Sequence, residues 1–328
     1  MDRPVGAMRC VPACNVADVA ASVRSRGMTL SHLVERAMQE SGYHAVERLY
    51  VGSSFCEQYF LHQPERLWRE AFALCRREGI SATLVLPVFS QKDLAAGKER
   101  IVALLRRYGG DIDEITANDP GMVDFSFLHL DRPLNAGRLL MRGARDPRPA
   151  HLAETRCGIG VPTIVTELFK NQKLKGIELD PTHAELDLSE LSGLAPHLSV
   201  GVHTPYCVLS TGAICELAGA RRPEHERFRP NATCKLECSR CSITYELACD
   251  VRLLKFGRTV YFPNHGCIVR EGDVVRMIVT PFDTFVSPSG GNGSDVGQAP
   301  LPEGGEPAFP AGKKQESDKL DPSHEKEV

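Results

Sequence analysis

The sequence predicts an α/β fold: a (β/α) barrel-like domain with a cysteine-rich late segment and a disordered C-terminal tail. Short apolar runs of strand length alternate with amphipathic runs of helix length between residues 47 and 201, and turn residues gather just past the strand ends. Five of the twelve cysteines crowd between Cys207 and Cys241. Strands separated by helices need crossover connections, and such connections favour a mostly parallel sheet.

Residues 1–45 carry Cys10 and Cys14 around a proline, then Leu30, Leu33, Val34 and Ala37 at helical spacing, which predicts an N-terminal helical segment. A strand at 47–52 opens the barrel-like domain, placed at 46–286. The helix that follows puts Leu67, Ala71, Leu74 and Cys75 on one face and ends at Gly79. Next come a strand at 82–87 and a helix from about Gln91 to Tyr108, with Ser90 as its cap and Gly109 and Gly110 as its stop. Further strands are expected at 113–118, 161–166, 175–180 and 197–201. The β-branched run at 273–280 closes the folded region. From Ser287 the chain has almost no large apolar residues, so 287–328 reads as a disordered tail.

With 328 residues, 42% of them apolar, the chain can bury a sizeable core and needs no disulfide scaffold. A net charge of −3 gives no electrostatic footprint for nucleic acid. No apolar stretch is long enough to span a bilayer. The first eleven residues lack the basic start and apolar run of a signal peptide, so a reducing cytoplasm is expected.

The cysteines divide by setting. Cys75 lies on an apolar helical face and reads as core, Cys157 and Cys249 read as structural, and Cys267 beside His265 stays ambiguous. Cys10 and Cys14 form at most a second metal half-site. Cys234, Cys238 and Cys241, with Cys207 and Cys215 upstream, have the crowding of a metal or cluster site. Zinc-ribbon sites pair two short knuckles, whereas seven residues separate Cys207 from Cys215, an irregular spacing that suits an iron–sulfur cluster; structural zinc stays open. In a barrel, loops after the strand ends gather function, which places Cys56, Asn118, Asp119, Asp180 and Cys207 at one end.

Several segments in order, Tyr50-Val-Gly-Ser-Ser-Phe-Cys56, Ile115-Thr-Ala-Asn-Asp-Pro-Gly121, Gly137-Arg-Leu-Leu-Met-Arg with Arg145-Asp-Pro-Arg148, Gly176-Ile-Glu-Leu-Asp180 and the cysteine region, resemble the collagenase-like peptidase family (peptidase class U), which includes UbiU/UbiV-type iron–sulfur proteins. The resemblance spans roughly residues 46–250. It implies a barrel-like domain, a four-cysteine [4Fe–4S] cluster, and oxygen-independent hydroxylation of an aromatic or quinone-precursor substrate, as in ubiquinone biosynthesis, with prephenate implicated as oxygen source. It also implies a heterodimer with a related family member.

In the UbiV-like pattern the ligands map to Cys56, Cys215 and a pair drawn from Cys234, Cys238 and Cys241; in the UbiU-like pattern Cys207 joins Cys215 and Cys234. An insertion at 219–230 separates Cys215 from the triplet. Asn118 and Asp119 are candidates to bind substrate, or simply to cap the helix that follows. Arg138, Arg145 and Arg148 are candidates to hold a dicarboxylate, against the plainer reading of a solvated basic loop. Glu178 and Asp180 are acid–base candidates if buried near the cluster. A peptidase is the alternative activity, although no His-Glu-x-x-His motif is present.

Overall fold

Side chains along a strand point alternately to its two faces, and a closed barrel turns those faces into a lumen and an outer wall. Seven strands come first: β1 (Val11–Asn15), β2 (Arg48–Gly52), β3 (Ser81–Leu86), β4 (Glu114–Ala117), β5 (Leu134–Ala136), β6 (Gly176–Leu179) and β7 (Ser199–Thr204). The chain then leaves the barrel to form β8 (Tyr206–Thr211), β9 (Ile243–Glu246), β10 (Arg252–Phe256) and β11 (Thr259–Pro263), and returns as β12 (Arg276–Val279). Strands β1 to β7 and β12 close a parallel barrel in the order β1-β12-β7-β6-β5-β4-β3-β2. The inserted strands form an antiparallel sheet in the order β8-β11-β10-β9.

This computed structural model describes residues 11–141, 163–170, 174–180, 198–220, 222–247, 251–263 and 276–282. Cys10, Arg145, Arg148, Cys157, Cys249, His265, Cys267 and the tail from Ser287 lie outside them.

The helices in chain order are α1 (Ala20–Ser25), α2 (Leu30–Ser41), α3 (Glu57–His62), α4 (Glu65–Glu78), α5 (Leu94–Tyr108), α6 (Pro120–His129), α7 (Thr163–Lys170) and α8 (Glu216–Gly219). Thr29 caps α2 by accepting from the His32 amide at 3.2 Å. Gly79 ends α4 in the left-handed conformation, as its sequence position implies. The outward residues Leu49, Val51, Leu84, Leu86, Ile115 and Ala117 join Trp68, Phe72 and Ile101 in one core between barrel and helices. Among the described residues no helix is long and apolar enough to cross a membrane.

Four sequence expectations change. The first barrel strand is β1, inside the segment read as helical, and its Cys14 is fully buried core rather than half of a metal site. Burial pushes the Cys14 thiol up to about 12. The run at 161–166 reads as a strand, yet Thr163–Thr166 begins α7. Val165 is buried and Leu168 partly buried, a helical i, i+3 pair, and the parallel crossover from β5 to β6 requires such an element. The α5 helix starts at Leu94 rather than Gln91, while the Ser90 amide donates to Glu57. Three-residue β5 and the inserted sheet carry too little periodicity to be read from sequence.

The lumen holds a small apolar cluster of Ala13, Tyr50, Val85 and Ile278 together with a layer of charged and polar groups. Arg276 of β12 reaches across it to Glu114 on β4 at 2.6 Å and donates to the Tyr50 hydroxyl at 2.7 Å. Arg48 lies 3.4 Å from the same carboxylate, and Thr83 donates to it at 2.7 Å. Burial works against the charged form of Glu114, but the two guanidiniums and the Thr83 hydrogen bond outweigh it and hold the carboxyl below its ordinary value. Above this layer Thr116 donates to Glu178 at 2.6 Å, and His203 Nε2 sits 2.9 Å from the other Glu178 oxygen.

Removing one member of a buried ion pair strands the other charge. Arg276→Met is therefore expected to lower the unfolding free energy by roughly 3–5 kcal/mol, read as a fall in the urea midpoint at neutral pH. The acid limb has a definite sign. Because the folded value of Glu114 is depressed, its contribution is complete above the ordinary carboxylate range and is lost as pH falls through the folded value. In Arg276→Met that part of the acid limb should shrink, measured by urea titrations from pH 7 downward.

Candidate functional site

At the C-terminal end of β2 the chain must turn within touching distance of β3. Gly52 makes this turn with φ 130°, and a Cβ there would lie 2.3 Å from the Val85 carbonyl oxygen, so no other residue fits. Ser53 then donates to Asp18 Oδ1 at 3.2 Å and accepts from the Cys56 amide at 3.1 Å, while the Ser54 amide donates to the same Asp18 oxygen at 2.8 Å. These bonds fix Cys56 at the head of α3, where the Phe60 amide closes the first turn on its carbonyl.

The inserted region supplies the facing side. Strand β8 starts two residues after β7 ends, so the insertion leaves the barrel at the end that carries Cys56. Cys215 heads α8, and Cys234 and Cys238 flank a left-handed turn at Leu236 that leads into a single 3₁₀ turn over Glu237–Ser239. The insertion at 219–230 folds back so closely that a Cβ on Gly219 would meet the Arg227 carbonyl oxygen at 2.1 Å.

Cys56, Cys215, Cys234 and Cys238 line one cleft, together with Tyr59, Asn231, Glu237, Gly257 and Arg258 among others. Each of the four is close enough to the other three for its charge to be felt. Tyr59 and Leu236 pack with Cys238, against Ala21, Leu217, Cys56 and Cys234, so an apolar cluster lies beside three of the four thiols. Among the described residues no three ligating side chains gather as tightly as a single metal ion requires. The thiols surround a hollow instead.

Burial raises all four thiols above their ordinary value, Cys234 to about 12, and each ionised neighbour raises the others further. Specific groups oppose this. Arg258 and the Tyr59 and Gln58 amides favour the Cys56 thiolate, the Ala218 and Leu217 amides favour that of Cys215, and the Leu236 amide favours that of Cys234. Such a site is prepared for thiolates but short of positive charge, which a bound cationic group would supply. The donor set, four soft sulfurs with amide donors behind them, fits a metal cluster.

Other expected residues fall elsewhere. Cys207 is buried in the inserted sheet with Val251, Leu253 and Phe262, so the set built on Cys207 is not the one gathered around the cleft. Cys241 is exposed and is not among the cleft residues; its Sγ lies 3.6 Å from the Glu237 carbonyl oxygen. Cys75 is core, as its helical face implies, with burial pushing it to about 12.

Asp119 caps α6 by accepting from the Met122 amide at 3.0 Å, with Pro120 at the first helical position. Asn118 is buried, accepts from the Leu139 amide at 3.3 Å, and fills the space a Cβ on Gly137 would need. Arg138 is not a solvated loop residue. It is 1% exposed, paired with Asp180 at 3.0 Å, and lies over the Phe55 ring at 4.9 Å and the Tyr261 ring at 5.8 Å. Sequence reasoning missed Arg258 and Tyr59, which carry no motif and reach the cleft through the fold alone.

No family model and no curated protein matches the chain. Among solved structures it is similar to the U32 peptidase Mk0906, at 10% identity over 85% of this chain and 95% of that one, with a TM-score of 0.41. It is also similar to the spore cortex-lytic enzyme SleL of Bacillus megaterium QM B1551, at 9% identity over 85% of this chain and 72% of that one, with a TM-score of 0.39. At these identities and TM-scores neither likeness assigns the chain to a family.

Exposure separates the thiols in a way that chemical labelling can read. In reduced, metal-free native protein Cys241 should react fastest among the described cysteines, and Cys14, Cys75 and Cys207 only on unfolding, as followed by mass mapping of alkylated peptides. Rapid native labelling of Cys207 would contradict its place in the inserted sheet.

Proposed function

We propose that Cys56, Cys215, Cys234 and Cys238 hold a [4Fe–4S] cluster, and that the protein serves oxygen-independent hydroxylation of an aromatic or quinone-precursor substrate together with a related family member. The observation that carries the cluster is the meeting of one cysteine from the barrel with three from the insertion around one cleft. The hydroxylation and the partner follow from the ordered motifs between Tyr50 and Asp180 that resemble UbiU/UbiV-type proteins.

A bound cluster would supply one-electron redox chemistry at the end of the barrel where loops carry function. The chain's own groups do the rest. The four cysteines would ligate as thiolates, the amides after Cys56 and Cys215 favour those thiolates, and Tyr59 and Leu236 pack beside Cys238. Arg138 and Asp180 form a buried pair, with Arg138 over the Phe55 and Tyr261 rings.

A cysteine peptidase needs a base beside its nucleophile. Among the described residues that line the cleft none is a histidine, and burial raises all four thiols rather than activating them. The missing base argues against nucleophilic attack in this cleft.

Anaerobic purification with iron, zinc and acid-labile sulfide analysis tests the proposal. About four irons and four sulfides per chain are expected. Serine at Cys56, Cys215, Cys234 or Cys238 should abolish or sharply reduce the load, whereas Cys241→Ser should leave it intact. Stoichiometric zinc without iron after reconstitution would refute the cluster. Because raised thiols must lose protons to bind metal, loading should strengthen as pH rises from 6.5 to 8.5, by about tenfold or more per unit where several protons are released.

A further inference from the structure

We infer that Arg258 is a positioning residue that joins the two halves of the four-thiol site and, as the cation beside it, raises the reduction potential of the iron–sulfur group held there; this inference rests on the function proposed above. Arg258 follows Gly257 at the tip of the β10–β11 hairpin, and its side chain is only 8% exposed. Its Nε and Nη2 donate to the Phe55 carbonyl at 3.2 and 2.5 Å, one residue before Cys56. Nη1 donates to Asn231 Oδ1 at 3.3 Å, three residues before Cys234, and Nη2 reaches the Val88 carbonyl at 3.5 Å. One planar fork therefore fixes the cysteine loop of the barrel to the cysteine loop of the insertion.

The charge matters as much as the fork. Two carboxylates accompany the cleft's cations: Glu57, fully buried, lies 3.7 Å from Arg258, and Glu216 pairs with Lys255 near Cys215. Glu57 Oε2 also accepts from the Ser90 amide, so its charge is drawn partly away from the guanidinium. Glu237 adds negative charge beside Cys234 and Cys238. Arg258 both lines the cleft and faces Cys56, and in this partly buried setting a fixed cation favours the state that carries one more electron. A purely structural anchor would leave the potential alone.

The test compares reconstituted wild-type protein with Arg258→Gln, Arg258→Lys and Glu57→Gln by iron analysis and by redox titration followed by electron paramagnetic resonance. Arg258→Gln should titrate at a more negative potential than wild type. Arg258→Lys should hold less iron because the fork is lost, yet keep its remaining cluster near the wild-type potential because the charge is kept. Glu57→Gln should move the potential in the positive direction, and it decides the matter if Arg258→Gln binds no iron. An unchanged potential in Arg258→Gln, or in Glu57→Gln where Arg258→Gln is unloaded, overturns the inference. Wild-type protein that binds zinc and no iron fails at the earlier step and refutes the proposed function itself.

Discussion

An ion pair spans the barrel from wall to wall. Arg276 and Glu114 belong to β12 and β4, which stand opposite each other in the ring of eight strands. Two charges taken out of water are tolerated only when they meet, so the pair sets which face of β12 turns inward. A one-residue slip would turn Arg276 toward the helices and leave Glu114 without this partner. Closure of the barrel by its last strand thus depends on an electrostatic match made across the lumen.

That closure holds the inserted sheet in place. The insertion leaves after β7 and the chain returns through β12, and these two strands are neighbours in the barrel. Both ends of the insertion are therefore tied to one sector of the ring. From there β8, β10 and β11 bring Tyr206, Phe256 and Tyr261 against Phe282, a cluster of rings that seats the sheet on the barrel. Arg138 lies over the Tyr261 ring of this cluster, so the cation that sequence suggested for substrate also stabilises the join.

The cleft uses this arrangement as a division of labour. The barrel contributes one thiol on a loop fixed by Gly52, Ser53 and Asp18, and the insertion contributes three on turns held between the inserted sheet and the barrel side. Neither half lines the cleft with four thiols by itself. Bringing buried thiols together raises the cost of ionising each of them, and the nearby amides and Arg258 offset only part of that cost.

The sequence by itself determined the alternation of strands and helices, the parallel barrel, and the crowding of cysteines after residue 207. Those features are legible because periodicity, glycine stops and residue type are local properties of the chain. It also pointed to Cys56 as a distant partner, through the rule that barrel loops converge at one end. Only the tertiary structure decided which cysteines share a cleft. Cys207 and Cys241 have as strong a sequence signal as Cys234, but a strand buries the first within the inserted sheet and a 3₁₀ turn leaves the second in solvent. The same holds for β1, for α7 and for Arg258, because each acquires its role from contacts across more than a hundred residues or from the crossover it must complete. Local pattern cannot encode a neighbour that only closure of the barrel brings near.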